Sequence, residues 1–148
     1  MVYLEKLQVH DIEQTIDLAD RFNKQYGMIK ELSKTKVRRT LESSLVYDKV
    51  YYAYVMKDED KVVGALVGFA TEHPYYDVVV ASELGWYVEP EYRNKISVKM
   101  LQNFETWAKE EAKANFIVMV YTEEMTDLSK LYNSLDYELV EHTYKKAL

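Results

Sequence analysis

Cysteine is absent from this chain. That excludes disulfides, thiolate metal sites and a cysteine nucleophile together, and it suits a reducing compartment. Glycine occurs 4 times and proline 2 times, and the chain shows no P-loop pattern, linker, repeat or low-complexity segment. The 3 histidines, His10, His73 and His142, stand in no ligand spacing, which argues against a zinc site and leaves no metal expected. No apolar run approaches the ~20 residues that span a bilayer. The opening MVYLEKLQVHD is charged and alternating, unlike a secretory signal. Positive charge is in deficit, with 19 Lys+Arg against 25 Asp+Glu and a net charge of −6. That disfavours general binding to nucleic acid or anionic membrane and weakly favours a cationic partner such as an amine. Together these absences predict a soluble, cytoplasmic protein.

What is present suffices for a core. The chain has 148 residues, 48% of them apolar, which predicts a single domain over residues 1–148 that buries about two-thirds of its unfolded surface. The 14 tyrosines are an excess. They read as the half-exposed rim of a core, with a stacking surface for a ligand or partner as the alternative.

Hydrophobic spacing divides the chain into ten elements in the order β-α-α-β-β-β-α-β-α-β. Val2 to Leu7 alternates as a strand. Asp11 is placed to cap a helix whose apolar face is Ile12, Ile16, Ala19, Phe22 and Tyr26, ended by Gly27. Ser33 is placed to cap a second helix, with Val37, Leu41 and Leu45 buried and the basic cluster Lys34, Lys36, Arg38 and Arg39 facing solvent. Val50 to Met56 and Lys61 to Ala70 predict a hairpin around a polar turn, Lys57 to Lys61. Gly64 and Gly68 lie inside its second strand, where glycine marks a bulge or a close backbone approach. Asp77 to Val88 predicts a long strand with Leu84 and Trp86 on one face and Glu83 and Tyr87 on the other. Met100, Leu101, Phe104, Trp107 and Ala108 stripe a helix from about Lys95 to Lys113. Phe116 to Tyr121 reads as an interior strand. Thr126 or Asp127 is placed to cap a helix bearing Leu128, Leu131, Tyr132 and Leu135, and Tyr137 to Tyr144 predicts a closing strand.

Within Glu83 to Leu101, ELGWYVEPEYRNKISVKML, a strand runs into a turn at Pro90, a short basic loop and a helix. Backbone N–H groups at that helix start, with Arg93, Lys95 and Lys99 nearby, make a place for an anion. This stretch resembles the acyl-CoA-binding segment of the GNAT N-acetyltransferases, which commonly read L-x-V-x-P-E-Y-R-G-x-G-x-G. Leu131-Tyr132-Asn133-Ser134-Leu135-Asp136-Tyr137 is similar to the family's L-Y-x-x-L-G-F ending, and FETWAKEEAK, from Phe104 to Lys113, looks like its third helix. The family's loop glycines fall here at Asn94, Ile96 and Val98. A helix-holding asparagine falls at Met125, and a further glycine at Asp136.

The resemblance implies a mixed α/β (α+β) fold. It is a twisted, mostly antiparallel mixed sheet of about six to seven strands with helices on both faces. It implies N-acetyl transfer from acetyl-CoA to a primary amine, on a small molecule or a peptide. The alternative is a catalytically inactive protein of the same fold acting as a binding module. Cofactor contacts are expected from the strand end Trp86, Tyr87 and Val88. Phosphate contacts are expected from free backbone N–H groups over Arg93, Asn94, Lys95, Ile96, Ser97 and Val98. Glu83 is the expected base, its pKa raised by partial burial, with Glu123 and Glu124 as second choices. Tyr132 is the expected acid. The edge offered by Tyr137 to Tyr144 would allow two copies to pair as a homodimer.

Overall fold

Alternating apolar residues and β-branched runs build one five-stranded sheet in the order β1-β2-β3-β4-β5. The computed structural model describes residues 1–26, 31–122 and 125–148. The strands are β1 (Val2–Lys6), β2 (Tyr51–Asp58), β3 (Lys61–Glu72), β4 (Val79–Val88) and β5 (Phe116–Val118). The first four pair antiparallel in sequence order, and β5 joins β4 in parallel. A parallel neighbour requires a crossover, and α3 (Lys95–Glu110) supplies it.

Helices cover both faces. On one, α1 (Ile12–Tyr26) and α2 (Lys34–Val46) bury Ile12, Ile16, Leu18 and Leu41 against Ala53, Val55 and Ala65. On the other, the α3 stripe Met100, Leu101, Phe104, Trp107 and Ala108 packs on Tyr52, Met56, Val63 and Leu66. The short α4 (Ser129–Ser134) adds Tyr132 to that second core. Ser33 caps α2, its hydroxyl accepting from the Lys36 N–H at 3.3 Å. The basic face of α2 is exposed, apart from an Arg38 contact to Glu13 of α1.

Gly68 shows why one glycine is needed inside β3. A Cβ there would stand 2.5 Å from the Phe104 ring and 3.0 Å from the Ser82 carbonyl oxygen. Neither Phe104, which is fully buried, nor the neighbouring strand can withdraw. Gly68→Ala is therefore expected to cost about 1–3 kcal/mol by overpacking, read as a lower urea midpoint with an unchanged slope. An unchanged midpoint would show that α3 moves off the sheet freely.

Several elements differ from the sequence reading. Asp11 does not cap α1. It ends a 3-10 turn (Val9–Asp11) that leads into α1, and its carboxylate accepts from the Gln8 N–H at 2.9 Å. Lys57 is not part of an exposed turn. It extends β2, is 3% exposed, and its ammonium meets Asp11 at 2.6 Å and Glu5 at 2.5 Å. The turn narrows to Glu59 and Asp60, with Glu59 in the left-handed region at φ 53°. Helix α4 has Leu128 at its N-cap, while the Asp127 carboxylate accepts from the Ser129 N–H at 2.8 Å.

Two expected strands are also corrected. Phe116 to Tyr121 is not an interior strand. Only Phe116–Val118 pairs, at the sheet edge, with Phe116 62% exposed. Tyr137 to Tyr144 forms no strand, and Leu139, Val140 and Tyr144 are exposed. With β5 reduced to three paired residues, the segment has no ladder to extend, and alternation without a partner backbone does not make a strand. Gly27, expected to end the first helix, lies outside the described residues.

Candidate active site

The site arises where β4 loses its neighbour. β5 pairs with β4 only from Val80 to Ser82. Beyond that, the outer edge of β4 through Val88 has no strand partner among the described residues. At this point β4 also carries a bulge. Gly85 faces Val67 and Glu83 faces Gly68, so Leu84 is an extra residue with no counterpart in β3. A bulge shifts the pleat by one residue. Glu83 and Trp86 therefore share the α3 face, contrary to the opposite-face reading, and Leu84 turns out to solvent at 52% exposure.

A cleft of about 390 Å³ opens along the unpaired part of β4. Trp86, Tyr87 and Val88 of β4 line it, together with Phe22 and Tyr26 of α1 and with Met125, Thr126, Leu128 and Leu131. The Tyr87 hydroxyl donates toward Gln25 at 3.0 Å and lies 3.3 Å from Glu89. Arg21 holds Glu89 at 2.7 Å. These contacts tie α1 to the end of β4 and fix its aromatic residues over the opening. The Trp86 indole N–H is buried with no acceptor among the described residues. A buried donor without a partner costs about 1–3 kcal/mol, and this one belongs to the cleft wall.

The loop at the cleft mouth is self-satisfied. Arg93 Nε donates to the Val88 carbonyl at 2.8 Å, and its guanidinium lies over the Tyr87 ring at 5.6 Å. Asn94 caps α3, its Oδ1 accepting from the Ile96 N–H at 2.8 Å. The Asn94 N–H donates to Ser97 Oγ at 2.9 Å, and the Ser97 N–H donates to the Asn94 carbonyl at 3.1 Å. The Arg93 N–H goes to Pro90 at 3.3 Å and the Val98 N–H to Asn94 at 3.5 Å. Of the expected row of free amides, those of Arg93, Asn94, Ile96, Ser97 and Val98 are thus paired within the loop, with a capping box at the helix start. The cause is local: an asparagine and a serine stand where an anion would otherwise satisfy the helix start. Of the two bulky aliphatics, Ile96 turns into the core, whereas Val98 lines the cleft. Lys95 and Lys99 are exposed beside it.

Two titratable groups meet at one residue, Val120. Glu83 Oε2 accepts from the Val120 N–H at 3.1 Å. The Tyr132 hydroxyl donates to the Val120 carbonyl at 3.1 Å. Burial pushes the Glu83 carboxyl up to about 7, against the opposing pull of the Val120 and Trp86 amides. Burial, then the charge of Glu83, raises the Tyr132 phenol above its ordinary value. The structure thus brings Trp86, Tyr87, Val88, Arg93, Asn94, Ser97 and Val98 to one cleft, while Glu83, Tyr132, Lys95 and Ile96 fall outside the lining. Glu123 and Glu124 lie outside the described residues. The sequence reading missed Phe22, Tyr26, Met125 and Leu131 as cleft residues; helical spacing had marked most of them, but as core.

Residues 15–137 match the family model described as the acetyltransferase (GNAT) family. No curated protein matches the chain. Among solved structures, a predicted acetyltransferase with acetyl-CoA from Clostridium acetobutylicum superposes with a TM-score of 0.80 at 15% identity, covering 99% of this chain and 96% of that one. A ribosomal-protein-alanine N-acetyltransferase from Brucella melitensis gives 0.76 at 16% identity, with 99% of each chain covered. A transcriptional regulator from Bacillus halodurans gives 0.77 at 20%, with 100% of each covered. At these identities the likeness is one of fold. Among the described residues, no helix is long and apolar enough to cross a membrane.

Proposed function

We propose that this chain, which belongs to the acetyltransferase (GNAT) family, transfers an acetyl group from acetyl-CoA to a primary amine. The observation that carries the reading is the unpaired, bulged end of β4 with an apolar cleft along it and an orphaned Trp86 N–H in its wall. An open strand edge is suited to an amide-bearing arm that pairs as a strand would. When bound, acetyl-CoA supplies the activated acetyl thioester. The chain's residues orient it and handle protons. Glu83 takes the proton of the acceptor amine, directly or through a water. Tyr132 is the proton donor for the leaving sulfur, its hydroxyl exchanging the Val120 carbonyl for that role. Cationic side chains Arg93, Lys95 and Lys99 attract the phosphates, because the amides of Arg93, Asn94, Ile96, Ser97 and Val98 are already paired.

Calorimetric titration with acetyl-CoA tests the reading, with binding at about micromolar strength expected and absence of heat at millimolar ligand overturning it. In the same titration, Asn94→Gly is expected to bind about tenfold more tightly. It releases the Ile96 N–H to a phosphate, and an amide hydrogen bond to a charged group contributes about 1.5–3 kcal/mol. Glycine at an N-cap costs the helix only a few tenths of a kcal/mol. Unchanged affinity would show that phosphate recognition does not use this helix start. Tyr132→Phe is expected to slow turnover with little effect on affinity, and an unchanged rate removes Tyr132 from the proton path.

The capping box favours one second reading, a GNAT-fold protein without catalysis that serves as a binding module. It predicts no acetyl-CoA heat in the wild type and none in Asn94→Gly.

A further inference from the structure

A second cavity, of about 270 Å³, lies at the other end of α3 and shares no lining residue with the cleft. Tyr52 and Tyr54 of β2 wall it, their rings stacked at 4.9 Å and 9°. Trp107 of α3 closes it, 5.4 Å from Tyr52, and its indole N–H donates to the Asp48 carbonyl at 2.7 Å, which holds the ring in place. The Tyr52 hydroxyl is buried without a partner among the described residues. Asp48 and Glu111, both exposed, and Lys6 are the charged residues of the lining.

We propose that this cavity binds an alkylated ammonium ion. Aromatic faces attract cations through the ring quadrupole, and organic ammonium groups are held by walls of this composition. Two carboxylates against one ammonium give the lining an excess of negative charge, and the net charge of −6 adds a long-range field of the same sign. Lys6 sits 3.7 Å from Asp48 with its side chain 46% exposed. A bound cation competes with it for that carboxylate and displaces it to solvent. An anionic ligand would face two carboxylates and is excluded on the same count.

The probe is tetramethylammonium chloride added to the whole chain, with sodium chloride at equal ionic strength as the control. The readout is the two tryptophan indole signals in a proton–nitrogen correlation spectrum. The Trp107 signal is expected to shift saturably with a Kd of about 1–10 mM, while the Trp86 signal stays. Glu111→Gln is expected to weaken binding roughly two- to fivefold, the effect of one partly exposed charge, and Lys6→Met to strengthen it by a similar factor. Both positions are outside the core, so the fold is kept. A Trp107 shift reproduced by sodium chloride, or a Kd that fails to move in opposite directions in the two variants, overturns the proposal.

Discussion

Glu83→Gln is expected to lower turnover about 10²- to 10⁴-fold, the usual contribution of a positioned general base. Substrate affinity is expected to change little. The substitution keeps a carbonyl oxygen to accept the Val120 N–H that Glu83 Oε2 accepts at 3.1 Å, so the geometry at Val120 survives. The pH profile separates chemistry from structure. Burial raises the Glu83 carboxyl to about 7, and a base works only when deprotonated. Wild-type kcat/KM should therefore climb through about pH 7 and level off, and Glu83→Gln should lose that limb. A limb that persists in the variant belongs to another group and removes Glu83 from the role.

The same shift carries a stability sign. The folded carboxyl holds its proton up to about 7, against an ordinary value of 4.5. Between these limits the folded state binds more proton than the unfolded chain, so stability falls as pH rises. Glu83→Gln is expected to be more stable than wild type at about pH 8 by roughly 1–3 kcal/mol, and equal to it near pH 4.

Lys57→Met is expected to destabilise the fold by about 3–5 kcal/mol, the usual cost of removing one partner from a buried ion pair. The Lys57 side chain is 4% exposed and that of Asp11 0%, at 2.6 Å. Glu5 binds the same ammonium, and His10 Nε2 lies 3.4 Å from it. Burial works against the Lys57 charge, but hydrogen bonds to Asp11 and Glu5 outweigh it and hold its pKa above the ordinary lysine value. Without the ammonium, Asp11 is a carboxylate in the core with only the His10 imidazole, at 3.5 Å, beside it. Adding Asp11→Asn to Lys57→Met should restore most of the loss, since asparagine still accepts from the Gln8 N–H and brings no charge. Urea midpoints of the single and double variants measure both steps. A single variant within about 0.5 kcal/mol of wild type would mean that the pair contributes nothing net.

The stripe Met100 to Ala108 was legible in one dimension because a helix repeats every 3.6 residues whatever surrounds it. The hairpin of β2 and β3, the Ser33 cap and the long β4 were legible for the same kind of reason, being local patterns of polarity and turn chemistry. The likeness around Trp86 to Val98 and at Tyr132 pointed to the family. Its cleft, however, needed Phe22 from α1 and Leu131 from α4, which no local pattern joins. Lys57 was misread because a charged run looks like a turn until a distant Asp11 makes burial favourable.

Composition, periodicity and motif were enough to establish the class of fold, the two-sided helical cover and the family, since each depends on neighbours along the chain. Three features awaited three-dimensional packing: the bulge at Leu84 that carries Glu83 to the α3 face, the capping box that occupies the amides of Asn94 and Ile96, and the loss of a strand from Tyr137 onward. Each turns on which backbone group finds which partner, and that competition is resolved only when distant segments meet.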